Sequence, residues 1–331
     1  MKKGLLRFEF YLNQLDALFT KAVEQKNPAL WLYNNNARTP LFMLEGLAKM
    51  YIEFHDKKFF SKLKEQIKLL EDTIGAIDFY DVFSKEFAKN KKIPASSINY
   101  LQAQTREKIQ SLNEILKEKE WISESNTRLT KIRAKLEKLD WEKEKKEAKK
   151  IEAFYGEAIY EINEFIHSPE FHFDNVEADV HEIRRKIRWL SIYPQALQGA
   201  IQLVKSKSTN PVLKKYKTKE ITTSAFNKMP DAGNAQHFVL LDQDRFFALS
   251  WMIAELGKLK DSGLGVIALK EALQQTSTSK EDAALQKSYQ LLGTKQVKLE
   301  TILKEAAKIC KTYFSENNLE YLVVGVSEAK L

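Results

Sequence analysis

The order of apolar and polar positions along the chain is typical of an α-helical protein. Apolar residues recur at intervals of three and four over long segments, with charged residues between them, which is the spacing of amphipathic helices. This pattern predicts an all-α fold built from long antiparallel helices. The predicted helices cover residues 5–22, 42–54, 59–77, 98–116, 129–165, 176–204, 246–259 and 297–314.

A break near the middle of the chain predicts two domains. Residues 167–175 contain Pro169, which ends a helix, and then Asp174 and Asn175, either of which can cap the next one. The break divides the chain into a first helical bundle, residues 1–168, and a second, residues 169–331.

Two further stretches depart from the helical pattern. Residues 205–242 contain two prolines and many polar side chains, and they predict a long excursion between helices. Residues 321–326 are apolar and β-branched, and they are compatible with either a short strand or a buried tail.

Composition narrows the class of protein. Only 11 glycines and 7 prolines occur in 331 residues, which argues against a turn-rich β-sandwich or barrel. Cys310 is the single cysteine, so the chain forms no intramolecular disulfide and no cysteine-based zinc site. No apolar stretch approaches the length of a membrane span. We therefore expect a cytoplasmic protein with no membrane partner, whose net charge of +8 needs a separate explanation.

The segment 179–190 brings histidine and arginine together at helical spacing. At about 100° per residue, His181, Arg184, Arg185 and Arg188 share one face about 100° wide, and apolar residues occupy the opposite side. Arginine suits phosphate because its planar guanidinium donates two parallel hydrogen bonds. The spacing is therefore compatible with an anion-binding face.

An ordinary solvated helix explains the same segment. Glu177, Asp179 and Glu182 open the helix and complement its dipole, and the basic residues follow. Glu182 is also spaced to pair with Arg185 and Lys186 on the next turn. Both interpretations stay open on spacing alone.

A lysine-rich stretch follows this helix. Residues 205–220 contain six lysines and one acid, Glu220. A flexible loop of this kind attracts polyanions without fixing their geometry, although solubility alone also explains it. The lysines are Lys205, Lys207, Lys214, Lys215, Lys217 and Lys219.

The pattern His181–x–x–Arg184–x–x–x–Arg188–x–Leu190 resembles the signature helix of the CHAD domain, a family named for conserved histidines in an α-helical domain. The later segment Leu-Gly-Lys-Leu-Lys-Asp, ending at Asp261, resembles the second-helix motif of that family. A counterpart in the first half, Ile-Gly-Ala-Ile-Asp, ends at Asp78. The resemblance implies two tandem helical-bundle repeats, related by pseudo-two-fold symmetry and facing one another around a basic groove.

The resemblance also implies a function, the non-catalytic binding of inorganic polyphosphate or a similar polyanion. His181, Arg184 and Arg188 match the signature positions, Arg185 lies on the same face, and Lys260 precedes the aspartate of the second motif. No cofactor and no enzymatic activity are expected. Nucleic acid is an alternative partner, because a basic groove rarely distinguishes one phosphate polymer from another.

The corresponding helix of the first half departs from the family pattern. It retains Arg38 and Lys49 but has no histidine, and Glu45 stands where the family favours a cation. The alternative function is therefore a helical protein-interaction scaffold whose anion site has decayed, with a protein partner that the sequence does not identify.

Other chemistries find little support in the sequence. His167 and His172 lack a recognised zinc spacing, and we expect no metal site. Cys310 lies at an apolar helical position and is expected to be a buried thiol rather than a nucleophile. Neither a nucleophile elbow nor a phosphate-binding glycine loop occurs.

Overall fold

The protein is helical through most of its length, as a computed structural model shows. The structure describes residues 2–123, 127–169, 171–206, 210–277, 280–293 and 296–328. The all-α fold class is confirmed, with one small sheet within these ranges. The helices are α1 (Lys3–Val23), α2 (Pro28–Asn34), α3 (Arg38–Phe54), α4 (Lys57–Phe87), α5 (Ala95–Glu118), α6 (Thr127–Glu137), α7 (Glu144–His167), α8 (Glu182–Ala196), α9 (Lys219–Thr223), α10 (Gln243–Thr276), α11 (Glu281–Leu292) and α12 (Leu299–Ser315). The strands are β1 (Ile201–Val204), β2 (His237–Asp242) and β3 (Val323–Glu328).

The chain forms two compact units, each drawn from separate stretches of sequence. The N-terminal unit comprises Lys3–Trp141 and Leu264–Gln296. The C-terminal unit comprises Met1–Lys2, Glu142–Gly263 and Val297–Leu331. These bounds differ from the predicted repeats 1–168 and 169–331, whose equivalence and pseudo-two-fold symmetry stay a prediction.

An aromatic cluster fills one part of the N-terminal unit's core. The rings of Phe8 and Tyr51 lie 5.3 Å apart, and those of Tyr51 and Trp141 lie 5.4 Å apart, in edge-on contacts typical of aromatic pairs. Phe60 packs against the same rings. This cluster joins α1, α3 and α4 to the end of the unit's first segment.

The predicted single helix over residues 129–165 is wrong. Helix α6 ends at Glu137 and α7 begins at Glu144, with a non-helical connection between them. Trp141 in that connection is buried, and its indole Nε1 donates a hydrogen bond to the carbonyl of Leu136 at 2.8 Å. Burial of this large apolar side chain stabilises the break between α6 and α7, although the strongly charged segment by itself favours one continuous helix.

The C-terminal unit contains the sheet, in places where the sequence pattern predicts helix or irregular chain. The predicted helix over residues 176–204 is wrong at its end, because α8 stops at Ala196 and residues 201–204 form β1. Strand β1 pairs with β2 in parallel, and β2 pairs with β3 in antiparallel orientation. Short apolar runs of this kind do not distinguish strand from helix by periodicity.

The segment 205–242 has more regular structure than the predicted excursion. Residues Pro211–Tyr216 form a 3₁₀ helix, α9 follows, and the segment ends in β2. Val239 and Leu241 of β2 are fully buried, and α7 packs against β2 and β3. Of residues 321–326, whose structure the sequence left open, 323–326 lie in strand β3, and 321–322 form the turn before it.

None of the helices in the described ranges combines the length and the apolar character that crossing a membrane requires.

Candidate functional site

His181 directly precedes helix α8, and its side chain contacts the acidic Glu177. A π-helical turn, Val176–His181, precedes α8, and the Asn175 side chain caps it by accepting hydrogen bonds from the next amides. The His181 Nδ1 atom lies 2.5 Å from Oε1 of Glu177, one turn earlier. This contact lowers the pKa of Glu177 below its usual value. The i,i+4 spacing of the two residues is the sequence signal that could have predicted the pair.

Arg184 is a partly buried cation of α8, and it lies against Gly257 of α10. Its Nε donates a hydrogen bond to the carbonyl of Ile253 at 3.2 Å. A methyl carbon at Gly257 would lie 3.1 Å from the same Nε atom, which is tighter than ordinary contact. Burial lowers the pKa of Arg184, and the nearby Asp261 carboxylate opposes that shift. The glycine of the second motif therefore provides the space in which this guanidinium lies.

Lys260 places a second partly buried cation beside Arg184. Its side chain is only 18% exposed, and its Nζ lies 3.6 Å from Oδ1 of Asp261. Burial is the main cause of its lowered pKa, and the positive charge of Arg184 adds to the shift, whereas Asp261 and Glu177 oppose it. The structure thus brings Arg184, Lys260 and the His181–Glu177 pair into one electrostatic cluster.

The ion pairs and the exposure of the other α8 cations favour the interpretation of α8 as an ordinary solvated helix. Arg185 donates two hydrogen bonds to Glu182, from Nε at 2.8 Å and from Nη2 at 3.0 Å. Lys186 lies 3.8 Å from the same carboxylate, so the pairing expected from spacing is confirmed. Arg188 is exposed, and the following Trp189 is buried and stacks on Tyr193.

The lysine-rich stretch is partly neutralised. Lys215 forms an ion pair with Glu316, and Lys217 lies 2.8 Å from Asp244. Lys205 and Lys214 are exposed, whereas Lys207 lies outside the described residues. Within residues 210–219, a 3₁₀ helix and two ion pairs are found where the sequence predicts a flexible loop.

Arg38 and Lys49, the predicted first-half cations, lie in the N-terminal unit. The Nε atom of Arg38 donates to the buried Glu71 carboxylate at 2.7 Å, and its Nη1 lies 3.9 Å from Asp78. Lys49 is near Glu45, whose pKa rises to about 7 because the carboxyl group is buried. Arg38 is therefore already bound by carboxylates.

The two glycine–aspartate motifs share a feature that sequence reasoning missed. In the N-terminal unit, a methyl carbon at Gly75 would lie 2.8 Å from Nη2 of Arg38, as one at Gly257 would contact Arg184. Each unit therefore places an arginine against the glycine of its motif, with the motif's aspartate nearby. The sequence shows the motifs but not the arginine that each glycine accommodates.

Comparisons with known proteins identify no relative. No protein-family model matches the chain, no curated protein matches it, and no solved structure resembles it. The resemblance to the CHAD domain therefore rests on the residues quoted above and stays a prediction. Within the part of the chain that the structure describes, no three His, Cys, Asp or Glu side chains are grouped to hold a metal ion.

Proposed function

We propose that the protein binds inorganic polyphosphate or a similar phosphate polyanion, without catalysis, at the face formed by α8 and Lys260. The observation that carries the proposal is the placement of Arg184 and Lys260, two partly buried cations close enough that the charge of one lowers the pKa of the other. Holding like charges together away from water is unfavourable, and a bound anion offsets that repulsion.

The geometry suits a ligand with several anionic groups. A hydrogen bond to the carbonyl of Ile253 restricts the Arg184 side chain, so this side chain loses less conformational entropy when a ligand binds. The exposed Arg188 extends the positive face along one side of the helix, and His181 lies on the same side. Lys205 and Lys214, both exposed, add long-range attraction.

The ion pairs of the same cluster favour a second candidate function, the helical protein-interaction scaffold. Glu177, Glu182 and Asp261 each contact one of the basic side chains assigned to the anion site. A ligand must compete with these carboxylates, which weakens binding and makes it sensitive to salt. If the protein is an interaction scaffold, these ion pairs stabilise the helices, and the cluster binds no polyanion.

Binding of long-chain polyphosphate to the full chain distinguishes the two functions. We expect the parent protein to retain polyphosphate at low salt and the Arg184→Gln/Lys260→Gln variant to bind at least tenfold more weakly. Charge-assisted hydrogen bonds are each worth about 1.5–3 kcal/mol, and about 1.4 kcal/mol corresponds to a factor of ten. The matched control Lys149→Gln/Lys308→Gln removes the same charge from exposed positions of the same unit.

Two results would overturn the assigned site. Equal affinities of the parent and the Arg184→Gln/Lys260→Gln variant would show that these cations do not bind the ligand. Failure of the parent to retain polyphosphate at low salt would favour the scaffold.

A further inference from the structure

A basic groove in the N-terminal unit contains none of the residues of the α8 cluster and neither Arg38 nor Lys49. It runs between the first turns of α4 and helix α6 and has a volume of about 790 Å³. Six cationic side chains line it, and the one acidic residue in the lining is Asp56. The cations are Lys58, Lys62, Arg128, Lys131, Lys135 and Lys138.

The cations form rows because of their helical spacing. At about 100° per residue, Arg128, Lys131, Lys135 and Lys138 fall within about 80° of one another around α6 and its immediate continuation. At about 1.5 Å per residue, this row is about 15 Å long. On the other side of the groove, Lys58 and Lys62 are one turn apart on α4.

Little of this charge is neutralised by neighbouring acids. Lys131 pairs with Glu120 at 2.6 Å. The Asp56 carboxylate is occupied in capping α4, where it accepts a hydrogen bond from the Phe59 amide at 2.9 Å. Within the residues that the structure describes, the remaining four lysines of the groove form no ion pair, and all four are exposed.

Between the rows of cations, the groove is apolar. Phe59, Leu63, Ile132 and Leu139 line it together with the aliphatic stems of the lysines. A smaller cavity of about 280 Å³ continues the groove past Leu69, which is 42% exposed. The groove therefore combines apolar contact area with a basic rim.

Arg128 is positioned at the junction of the two cavities. Its Nε donates to the carbonyl of Lys119 at 2.8 Å, and its guanidinium lies 5.9 Å from the centre of the Trp121 ring. An arginine held in this way loses less conformational freedom on binding than a mobile lysine does.

We propose that this groove binds an acidic amphipathic helix of a protein partner. The basic rim complements carboxylates, and the apolar interior complements the apolar face that such a helix presents. A phosphate polymer has no apolar surface to bury there, and a flat bilayer does not reach the interior of a groove. The 15 Å row matches about ten residues of helix, with Asp or Glu at i, i+3 or i+4, and i+7.

Peptide selection on the full chain tests this proposal. A displayed library of peptides of about 16 residues, long enough to form helix, is selected on the parent protein and counter-selected on Lys62→Glu/Lys135→Glu. We expect the recovered peptides to carry acidic residues at that spacing with Leu, Ile or Phe between them. No enrichment, or enrichment of acidic peptides without an apolar face, would overturn the proposal.

Binding of one recovered peptide, labelled with a fluorophore, then separates charge from apolar contact. We expect at least tenfold weaker binding to Lys62→Glu/Lys135→Glu, and also to Leu139→Gln, which leaves the charge unchanged. Lys89→Glu/Lys91→Glu changes the charge equally at exposed positions away from the groove and should bind as the parent does. Thermal unfolding of each variant verifies that it is folded.

The outcome is independent of the proposed polyanion site, because the groove residues lie in the N-terminal unit and α8 lies in the C-terminal unit. Competition with inorganic polyphosphate provides the last arm. We expect polyphosphate, which has no apolar face, to displace the peptide from the parent only at much higher concentration than an unlabelled copy of the peptide does; if it competes as strongly as that copy, the groove is a general polyanion site and the proposal is wrong.

Discussion

Replacing Gly257 by alanine is the most direct test of how Arg184 is held. The new methyl carbon would lie 3.1 Å from Nε and 3.2 Å from Nη2 of Arg184, so the guanidinium must move by a few tenths of an ångström. The hydrogen bond from Nε to the Ile253 carbonyl is 3.2 Å long and has little tolerance for further lengthening. We expect the substitution to break it.

Two opposing effects determine the free energy of unfolding of this variant. Alanine in place of glycine inside a helix contributes about 1 kcal/mol of stability. Loss of a hydrogen bond from a charged donor costs about 1.5–3 kcal/mol. Gly257→Ala should therefore be less stable than the parent by about 0.5–2 kcal/mol.

Gly156→Ala separates the two effects. Gly156 lies on α7 in the same unit, it is exposed, and an added methyl carbon would meet no atom within 4 Å. This control should gain about 1 kcal/mol from helix propensity alone. Calorimetric unfolding of both variants should place Gly257→Ala below Gly156→Ala by about 1.5–3 kcal/mol. Equal stability of the two variants would refute the reasoning that Arg184 is confined against Gly257.

Three further experiments test other parts of the structure. Gly4→Ala would place a methyl carbon 2.5 Å from Cζ3 of the buried Trp141. This overlap should lower the free energy of unfolding by about 1–3 kcal/mol, as measured by thermal unfolding. An unchanged midpoint would contradict the close packing of Gly4 against Trp141. Burial raises the pKa of Glu45 from 4.5 to about 7. As pH rises through that range, the free energy of unfolding of the parent should therefore fall by about 3 kcal/mol relative to that of Glu45→Gln. Urea unfolding of both proteins at each pH measures this difference. Burial also raises the pKa of the Cys310 thiol to about 12, so a thiol reagent at neutral pH should label it only after unfolding, and rapid labelling of the folded protein would contradict this.

The sign of the Glu45 prediction follows from the direction of its pKa shift. A carboxyl group with a higher pKa in the folded state binds its proton more tightly there. Its contribution to stability is fully present below the unfolded value and is lost as pH rises through the folded one. Because Glu45→Gln removes the titration without removing the side chain, the difference between the two pH profiles isolates this group.

The helices themselves were largely predictable, because their signal is local. The arginine-bearing face of α8 and the pairing of Glu182 with Arg185 both follow from residues within one turn of each other. The prediction failed where a single buried group outweighed the local pattern. Trp141 interrupts a charged segment that alone favours one long helix.

The sheet was harder to predict for a related reason. Strands β1 and β2 are separated by more than thirty residues, and their short apolar runs gain hydrogen-bonding partners only after the chain has folded back. Residues 201–204 therefore continue the helical pattern of α8 in the sequence, although the structure pairs them with β2.

By itself, the sequence determined the helical class, the spacing of the cations on α8 and the two glycine–aspartate motifs, because each depends on neighbours within a few residues. Only the tertiary structure decided which arginine lies against each glycine and which carboxylates pair with the cations. It also decided that cations of α4 and α6, more than sixty residues apart in sequence, line one groove. The physical reason is that desolvation and ion pairing depend on distance in space, which the sequence pattern does not contain.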